Sequence, residues 1–228
     1  MKAAASRLDA LDELLHDRRS VRGFRSDPVP PETLDRIFTM AQQAPSNCNV
    51  QPWVVHVVSG EAAERMRQAL HDAAFSERAP TPDFPLTDSY PGLYRERQIN
   101  AAKALFSATG VARGDIGARK ESFLRNFRFF DAPHAAFILM PSWAGHREAA
   151  DCGMYAQSLM LALTAHGLGS CAQGALSHHA DIVKHELGAD ADMRLLFGLA
   201  FGYEDADHPA NAARTTREPV GDAIIFHS

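Results

Sequence analysis

The chain has 228 residues, enough for one large domain or two small ones and for a core that needs no cross-links. Asp and Glu number 28 against 23 Lys and Arg, so the charge gives no reason to expect nucleic acid as a partner. Cys48, Cys152 and Cys171 make an odd count without paired spacing, no leader peptide is visible, and the longest apolar run, near Leu159 to Ala165, is too short to cross a bilayer. A reducing, cytoplasmic setting with no membrane partner is expected.

Leu8, Leu11, Leu14 and Leu15 recur at helical spacing and predict a helix from Ser6 to Asp17. "RRSVRGF" follows and breaks the pattern at Gly23. Pro31 suits the first turn of a second helix, with Leu34, Ile37, Phe38 and Ala41 on one face. Next comes "APSNCNVQPW", Ala44 to Trp53, a tract of amides, a hydroxyl and a thiol between two prolines. It is longer than a surface connection needs, and its composition suits a loop that presents amides and backbone N–H groups. "WVVHVVSG" reads as a strand ended by Gly60, and a helix follows from Glu61 to about Phe75.

Ser76 to Asp115 has another character, with clustered prolines and aromatics. It reads as an irregular insertion, with helices near Tyr94 to Thr109 and Asp115 to Asn126. "APHAAFILMP" is a second strand. "REAADCGMYAQSLMLALTAHG" is a helix apolar nearly all round, hence central, with Gly167 placed to cap it. "LGSCAQGAL" is a short strand running into a turn, "HHADIVKHELG" a helix ended by glycine, and "MRLLFGLAFGYED" a buried strand. The tail from His208 to Ser228 is polar until "AIIF", which has strand character and is expected to pair elsewhere. Few strands and many helices in mixed order predict an α+β sandwich.

The familiar chemical templates are missing. There is no G-x-G-x-x-G, no phosphate-binding G-x-x-x-x-G-K-[ST] and no G-x-S-x-G elbow. His178, His179 and His185 do not fall at i, i+4 spacing and have no cysteine pair beside them; they read as solvated histidines on a surface helix, and no metal is expected. Three polar clusters remain: Arg18, Arg19, Ser20 and Arg22; the loop from Ala44 to Trp53; and Arg214 with Arg217 in "NAARTTREPV". Singly, each reads as a solvated turn, a connection or a tail. As a functional group, guanidinium forks with a serine hydroxyl match the oxygens of a phosphate.

Together, "RRSVRGF", "APSNCNVQPWVVHVV", "GMYAQSLMLALTAHGLGSCAQGAL" and "R-x-x-R-x-P" near the C-terminus, in that order, resemble the FMN-dependent nitroreductase family over nearly the whole chain. The resemblance implies a single nitroreductase-like domain over 1–228. Its mixed, mostly antiparallel sheet is flanked by helices in an intertwined homodimer, with a lid-like insertion at about 76–126 and a tail, 208–228, expected to cross to the partner subunit. It implies FMN as cofactor and NADH or NADPH as donor. Arg18, Ser20 and Arg217 would grip the FMN phosphate, helped by Arg214 or Arg19. Arg22 would lie by the N1 and O2 edge, where reduction leaves negative charge. Pro45, Ser46, Asn47 and Asn49 would wall the flavin held by the other subunit, Asn126 and Arg128 would meet the pyrimidine edge, and the backbone at Gln173 and Gly174 would sit by N5. Ala172 and Gln173 depart from the proline and glutamate common there. No protein acid or base is implied.

The implied reaction is ping-pong hydride transfer that reduces a nitroaromatic compound to its hydroxylamine. "YPGLYRERQ" and "GVARGD" resemble the branch with nitrobenzoate reductases, so an aromatic carboxylate is an attractive substrate. Phe84, Tyr90, Tyr94 and Phe106 offer stacking, and Arg95, Arg97, Arg113, Arg119 and Arg125 offer cations; Phe84, Tyr90, Tyr94, Arg95 and Arg119 form the substrate set. Two other readings stand beside this one: a flavin-dependent reductive dehalogenase or other FMN reductase of the same fold, and a flavin- or ligand-binding protein without turnover.

Overall fold

A computed structural model describes residues 6–87 and 89–227. Its scaffold is one sheet of four strands: β1 (Val54–Ser59), β2 (His134–Pro141), β3 (Gly169–Gln173) and β4 (Met193–Gly202), in the order β1-β2-β4-β3. Every strand pair is antiparallel. The expected mixed pairing is reduced to a single parallel bridge, Ser20 with Ser170, at the outer edge of β3.

Strand β2 explains the layering. Its alternate side chains point to opposite faces, and both faces are apolar. Ala135, Phe137 and Leu139 join a core with Met66, Leu70, Phe129 and Val183. Ala136, Ile138 and Met140 join a second core with Ile37, Tyr155, Leu159 and Leu163. Helices α3 (Gly60–Phe75) and α7 (Ala180–Leu187) cover the first face, and α2 (Pro31–Ala41) and α6 (His146–Ala165) the second. Gly167 takes the left-handed conformation, φ +72°, just past α6, as a helix-ending glycine should.

Three helices lie outside this sandwich. Helix α1 (Arg7–Asp17) is started by a reciprocal Ser6–Asp9 capping box, and α4 (Gly92–Thr109) is the longer of the two insertion helices; neither buries a single residue. Helix α5 (Ile116–Leu124) buries only Leu124. The stretch before α4 is irregular but anchored. Asp83 accepts from Lys184 Nζ at 2.7 Å and from the backbone N–H of Leu195 at 2.7 Å, and Arg194 lies 3.8 Å above the Phe84 ring.

The structure changes two expectations and leaves the tail without a strand partner in its own chain. Helix α6 is not enclosed all round, because Gly153 and Met154 face outward. His179 is buried and His178 half-buried, since their rings pack near Phe127 rather than into solvent; only His185 is exposed. Residues 223–226 form no strand within this chain, and Ile225 and Phe226 stand 78% and 87% exposed; Ser228 lies outside the described residues.

The buried histidines make stability depend on pH. Nε2 of His134 accepts the Val29 N–H at 2.9 Å while its ring stacks on Phe201, an arrangement that requires the neutral imidazole. Burial pushes His134, His178, His179 and His208 below their ordinary value. On acidification the unfolded chain takes up protons near pH 6.5 that the folded chain refuses, so stability is lost as the pH falls through about 6.5. The urea midpoint should be lower at about pH 5.5 than at about pH 7.5, a window above the carboxylate range. A flat or rising midpoint on acidification would contradict this.

Candidate functional site: an arginine-lined cleft

Past α1 the chain runs extended along the free edge of β3. The Val21 N–H donates to Ser170 O at 3.0 Å, and Gly169 gives Val21 room, because a Cβ there would lie 2.7 Å from the valine side chain. The tail returns to the same edge, with the Asp205 N–H donating to Gly23 O at 3.1 Å. Arg18, Ser20 and Arg22 from the first segment and Arg214 and Arg217 from the second thus line one cleft of about 500 Å³. Ala101, Ala102 and Leu105 of α4 form its other wall, and a side hollow adds Arg97 and Asn100.

The charges in this cleft lack counterparts. Among the described residues, Arg18, Arg22, Arg214 and Arg217 have no carboxylate at ion-pair distance. Burial, and then Arg217, lower the pKa of Arg18, so the two guanidinium groups sense each other. Facing cations are unfavourable unless an anion joins them. Guanidinium forks and the Ser20 hydroxyl are the donors a phosphate dianion takes, so the residues present fit the phosphate of FMN. Arg22 donates weakly to Ser20 O at 3.3 Å and stands 6.0 Å from the Phe130 ring. Arg19 also borders the cleft, but its guanidinium is committed to Glu204 and to Asn211 O.

The amide-rich loop is not part of this cleft. Pro45, Ser46, Asn47 and Asn49 do not line it. The loop is nonetheless fixed: the Asn47 N–H donates to the buried Asp151 carboxylate of α6 at 3.1 Å, Ser46 Oγ accepts from the Gln51 N–H at 2.9 Å, and Trp53 stacks on Tyr155 at 4.9 Å. Cys48, Asn49 and Gln51 are held at φ of +50°, +57° and +49°, each a strained conformation worth on the order of 1 kcal/mol. The Asn47 and Asn49 side chains remain exposed.

At the end of β3, the buried Gln173 donates from Nε2 to Asn126 O at 2.9 Å and to Asn126 Oδ1 at 3.3 Å. Its Oε1 is buried with no partner among the described residues, and Gly174 follows, exposed. Arg128 turns to Asp131 at 3.3 Å. Phe129, Phe130 and Asp131 all have positive φ, and Arg67 braces that turn by donating to Arg128 O at 3.1 Å and Ala132 O at 2.9 Å. Sequence reasoning did not single out Arg67, Asp151 or Asn211, because nothing in their local pattern marks them; each acts on backbone far away in the chain.

The expected substrate set does not assemble within one chain. None of Phe84, Tyr90, Tyr94, Arg95 and Arg119 lines the cleft or its side hollow. Phe84 lies under Arg194, Arg119 stands over Phe106 at 5.2 Å, Arg95 donates to Gln98, and Tyr94 carries Arg97 at 5.7 Å. Tyr90 is half exposed.

Inorganic phosphate should therefore raise the Tm of the flavin-free protein, and Arg18→Gln should remove most of that rise. Thermal melts with phosphate and with chloride at equal ionic strength check this. An equal rise in both proteins would separate phosphate binding from the Arg18–Arg217 pair.

Comparison with known proteins places the chain in a family. Residues 15–203 match the Nitroreductase family. Nitroreductase NfnB from Mycolicibacterium smegmatis is 42% identical over 218 residues, covering 95% of this chain and 92% of that protein. A 4-nitrobenzoate reductase from a Nocardioides strain is 31% identical over 96% of this chain and 90% of its own length. The crystal structure of the FMN-dependent NfnB from Mycobacterium smegmatis in complex with NADPH superposes with a TM-score of 0.93 at 41% identity, covering 98% of this chain and 100% of that one. The chain belongs to the nitroreductase family.

Proposed function

We propose that this protein is an FMN-dependent oxidoreductase that reduces nitroaromatic compounds to hydroxylamines with electrons from NADH or NADPH. The observation that carries the reading is the meeting of Arg18, Ser20, Arg22 and Arg217 in one cleft without a carboxylate. The named activities of its relatives support the choice of reaction. When bound, FMN would supply two-electron hydride transfer from the nicotinamide, and two such rounds, with protons from solvent, would carry the nitro group through the nitroso compound to the hydroxylamine with loss of water. The chain's own residues bind and position. Arg18, Ser20 and Arg217 hold the phosphate, with Arg214 beside them and Arg19 keeping the segment in place through Glu204. Arg22 supplies a fixed positive charge that favours the anionic reduced ring over the neutral oxidised one. Gln173 and Gly174 close the ring side, with Asn126 and Arg128 at its polar edge.

The insertion at 76–126 acts as the lid of one nitroreductase-like domain, with α4 as its working wall, and the substrate residues Phe84, Tyr90, Tyr94, Arg95 and Arg119 belong to it. Release of flavin by acid should yield FMN and no FAD. Initial rates with 4-nitrobenzoate or nitrobenzene, at several fixed donor concentrations, should give parallel double-reciprocal lines, because donor and acceptor use one face in turn. Intersecting lines would indicate a ternary complex and defeat the single-face mechanism.

The enzyme works as a homodimer with shared sites. Supporting this, α1 and α4 bury nothing in the single chain, Ile225 and Phe226 of the tail are exposed, and the strained loop, with Asn47 and Asn49 exposed, does not line the cleft of its own chain. Pro45, Ser46, Asn47 and Asn49 then complete the flavin site of the other subunit, and the tail crosses over. Arg18→Glu removes one side of such a site and Ser46→Trp fills the other. Each variant homodimer should be inactive. In the mixed dimer one site collects both lesions and the other neither, so about half the activity per dimer returns. A folded, cleanly isolated mixed dimer without activity would mean that both segments act within one chain.

A further inference from the structure

Asn211 sits where the two halves of the arginine cleft touch. It is 3% exposed, and every polar atom of its side chain is engaged. Its Oδ1 accepts the backbone N–H of Arg22 at 2.7 Å. Its Nδ2 donates to Gly23 O and to Asp205 O, each at 2.8 Å. Its own carbonyl accepts from Arg19 at 3.3 Å and from Arg214 at 2.5 Å. Its backbone N–H donates to His208 O at 2.9 Å. One carboxamide therefore ties the segment bearing Arg18, Ser20 and Arg22 to the turn from which Arg214 and Arg217 emerge.

The surroundings require that closeness. A Cβ on Gly23 would lie 2.1 Å from the His208 ring, so no side chain fits between the two segments. Only a group that both accepts and donates satisfies an N–H on one side and two carbonyls on the other, and asparagine is the shortest side chain that does so. Cations that repel each other do not hold such a geometry themselves, so the register comes from the contacts behind them, the Arg19–Glu204 pair and the hydrogen bonds of Asn211.

We infer that Asn211 is the positioning residue that sets Arg18 and Ser20 against Arg217 at the spacing a phosphate monoester needs. The inference rests on FMN as the ligand. Its test compares FMN with riboflavin, which lacks the phosphate, by titrating each flavin into flavin-free protein and following fluorescence. Wild-type protein should prefer FMN. Asn211→Ala should weaken FMN by about tenfold or more and riboflavin by less than about threefold, so that the preference collapses. Asn211→Asp keeps the acceptor for Arg22 N–H but sets an oxygen against Gly23 O and Asp205 O, and it should lose the preference too. If Asn211→Ala is unfolded at the assay temperature, Asn211→Asp carries the test. If both are unfolded, or if both flavins weaken equally, Asn211 serves stability alone and the inference is overturned. A preference for FMN that survives in Asn211→Ala overturns the inference and leaves the flavin reading intact. Wild-type protein that does not distinguish the two flavins overturns the flavin reading itself.

Discussion

Like charges brought together are the constraint on which this structure depends. Arg18 and Arg217 come from opposite ends of the chain, and the fold sets them to sense one another without a carboxylate between them. Such an arrangement does not arise from its own energetics, because the cations would rather separate into solvent. The work is done elsewhere, by apolar burial in the sandwich and by backbone bonds along the sheet edge. The edge of β3 is essential, since it offers Ser170 O to Val21 N–H and fixes the direction of the basic segment. The tail then docks on that segment rather than on the sheet, through the Gly23, His208 and Asn211 contacts. The anion site is thus the last layer of a series in which each layer needs the one beneath it.

The sheet itself was largely legible from its residues. "HAAFILMP" is apolar at consecutive positions from Ala135 on and therefore needs cover on both faces, which four helices provide. The start of β1 after Pro52 and Trp53, and the glycine ends of α6 and α7, follow from local chemistry that a reader of the sequence can see. What was not legible involves partners distant in the chain. Helix α6 is apolar nearly all round, yet Gly153 and Met154 remain exposed, because an apolar pattern does not record which of its faces the rest of the chain covers. His178 and His179 look like surface histidines until Phe127 is brought against them by the fold.

The site divides the same way. The basic cluster near the N-terminus and the arginines of the tail were visible as clusters, and the fold brings them into one cleft. The aromatic and basic residues of the insertion were equally visible, yet they do not gather in one chain. The difference is anchorage. Asp83 and Phe84 are held by α7 and β4, so the first part of the insertion is committed to the core. The face of α4 that meets the cleft carries Ala101 and Ala102 beside Leu105, and the two alanines leave space in front of the helix. Composition alone does not separate a residue used to fasten the insertion from one used over a substrate.

Backbone strain marks the rims of the site more sharply than any side-chain motif does. Left-handed non-glycine residues concentrate at two places, Cys48, Asn49 and Gln51 in the loop and Phe129, Phe130 and Asp131 before β2. Strain of this kind persists only where the surroundings over-determine the conformation. Each turn has its own brace, Asp151 beneath the first and Arg67 beneath the second, and both braces bond to backbone rather than to side chains. Backbone bonds of this sort leave the side chains of Asn47 and Asn49 exposed, while the ring of Phe130 is buried with Arg22 and Arg125 beside it. A loop that only connected α2 to β1 would relax into ordinary conformations. The two turns are instead held in their strained conformations by braces from distant segments, Asp151 of α6 and Arg67 of α3.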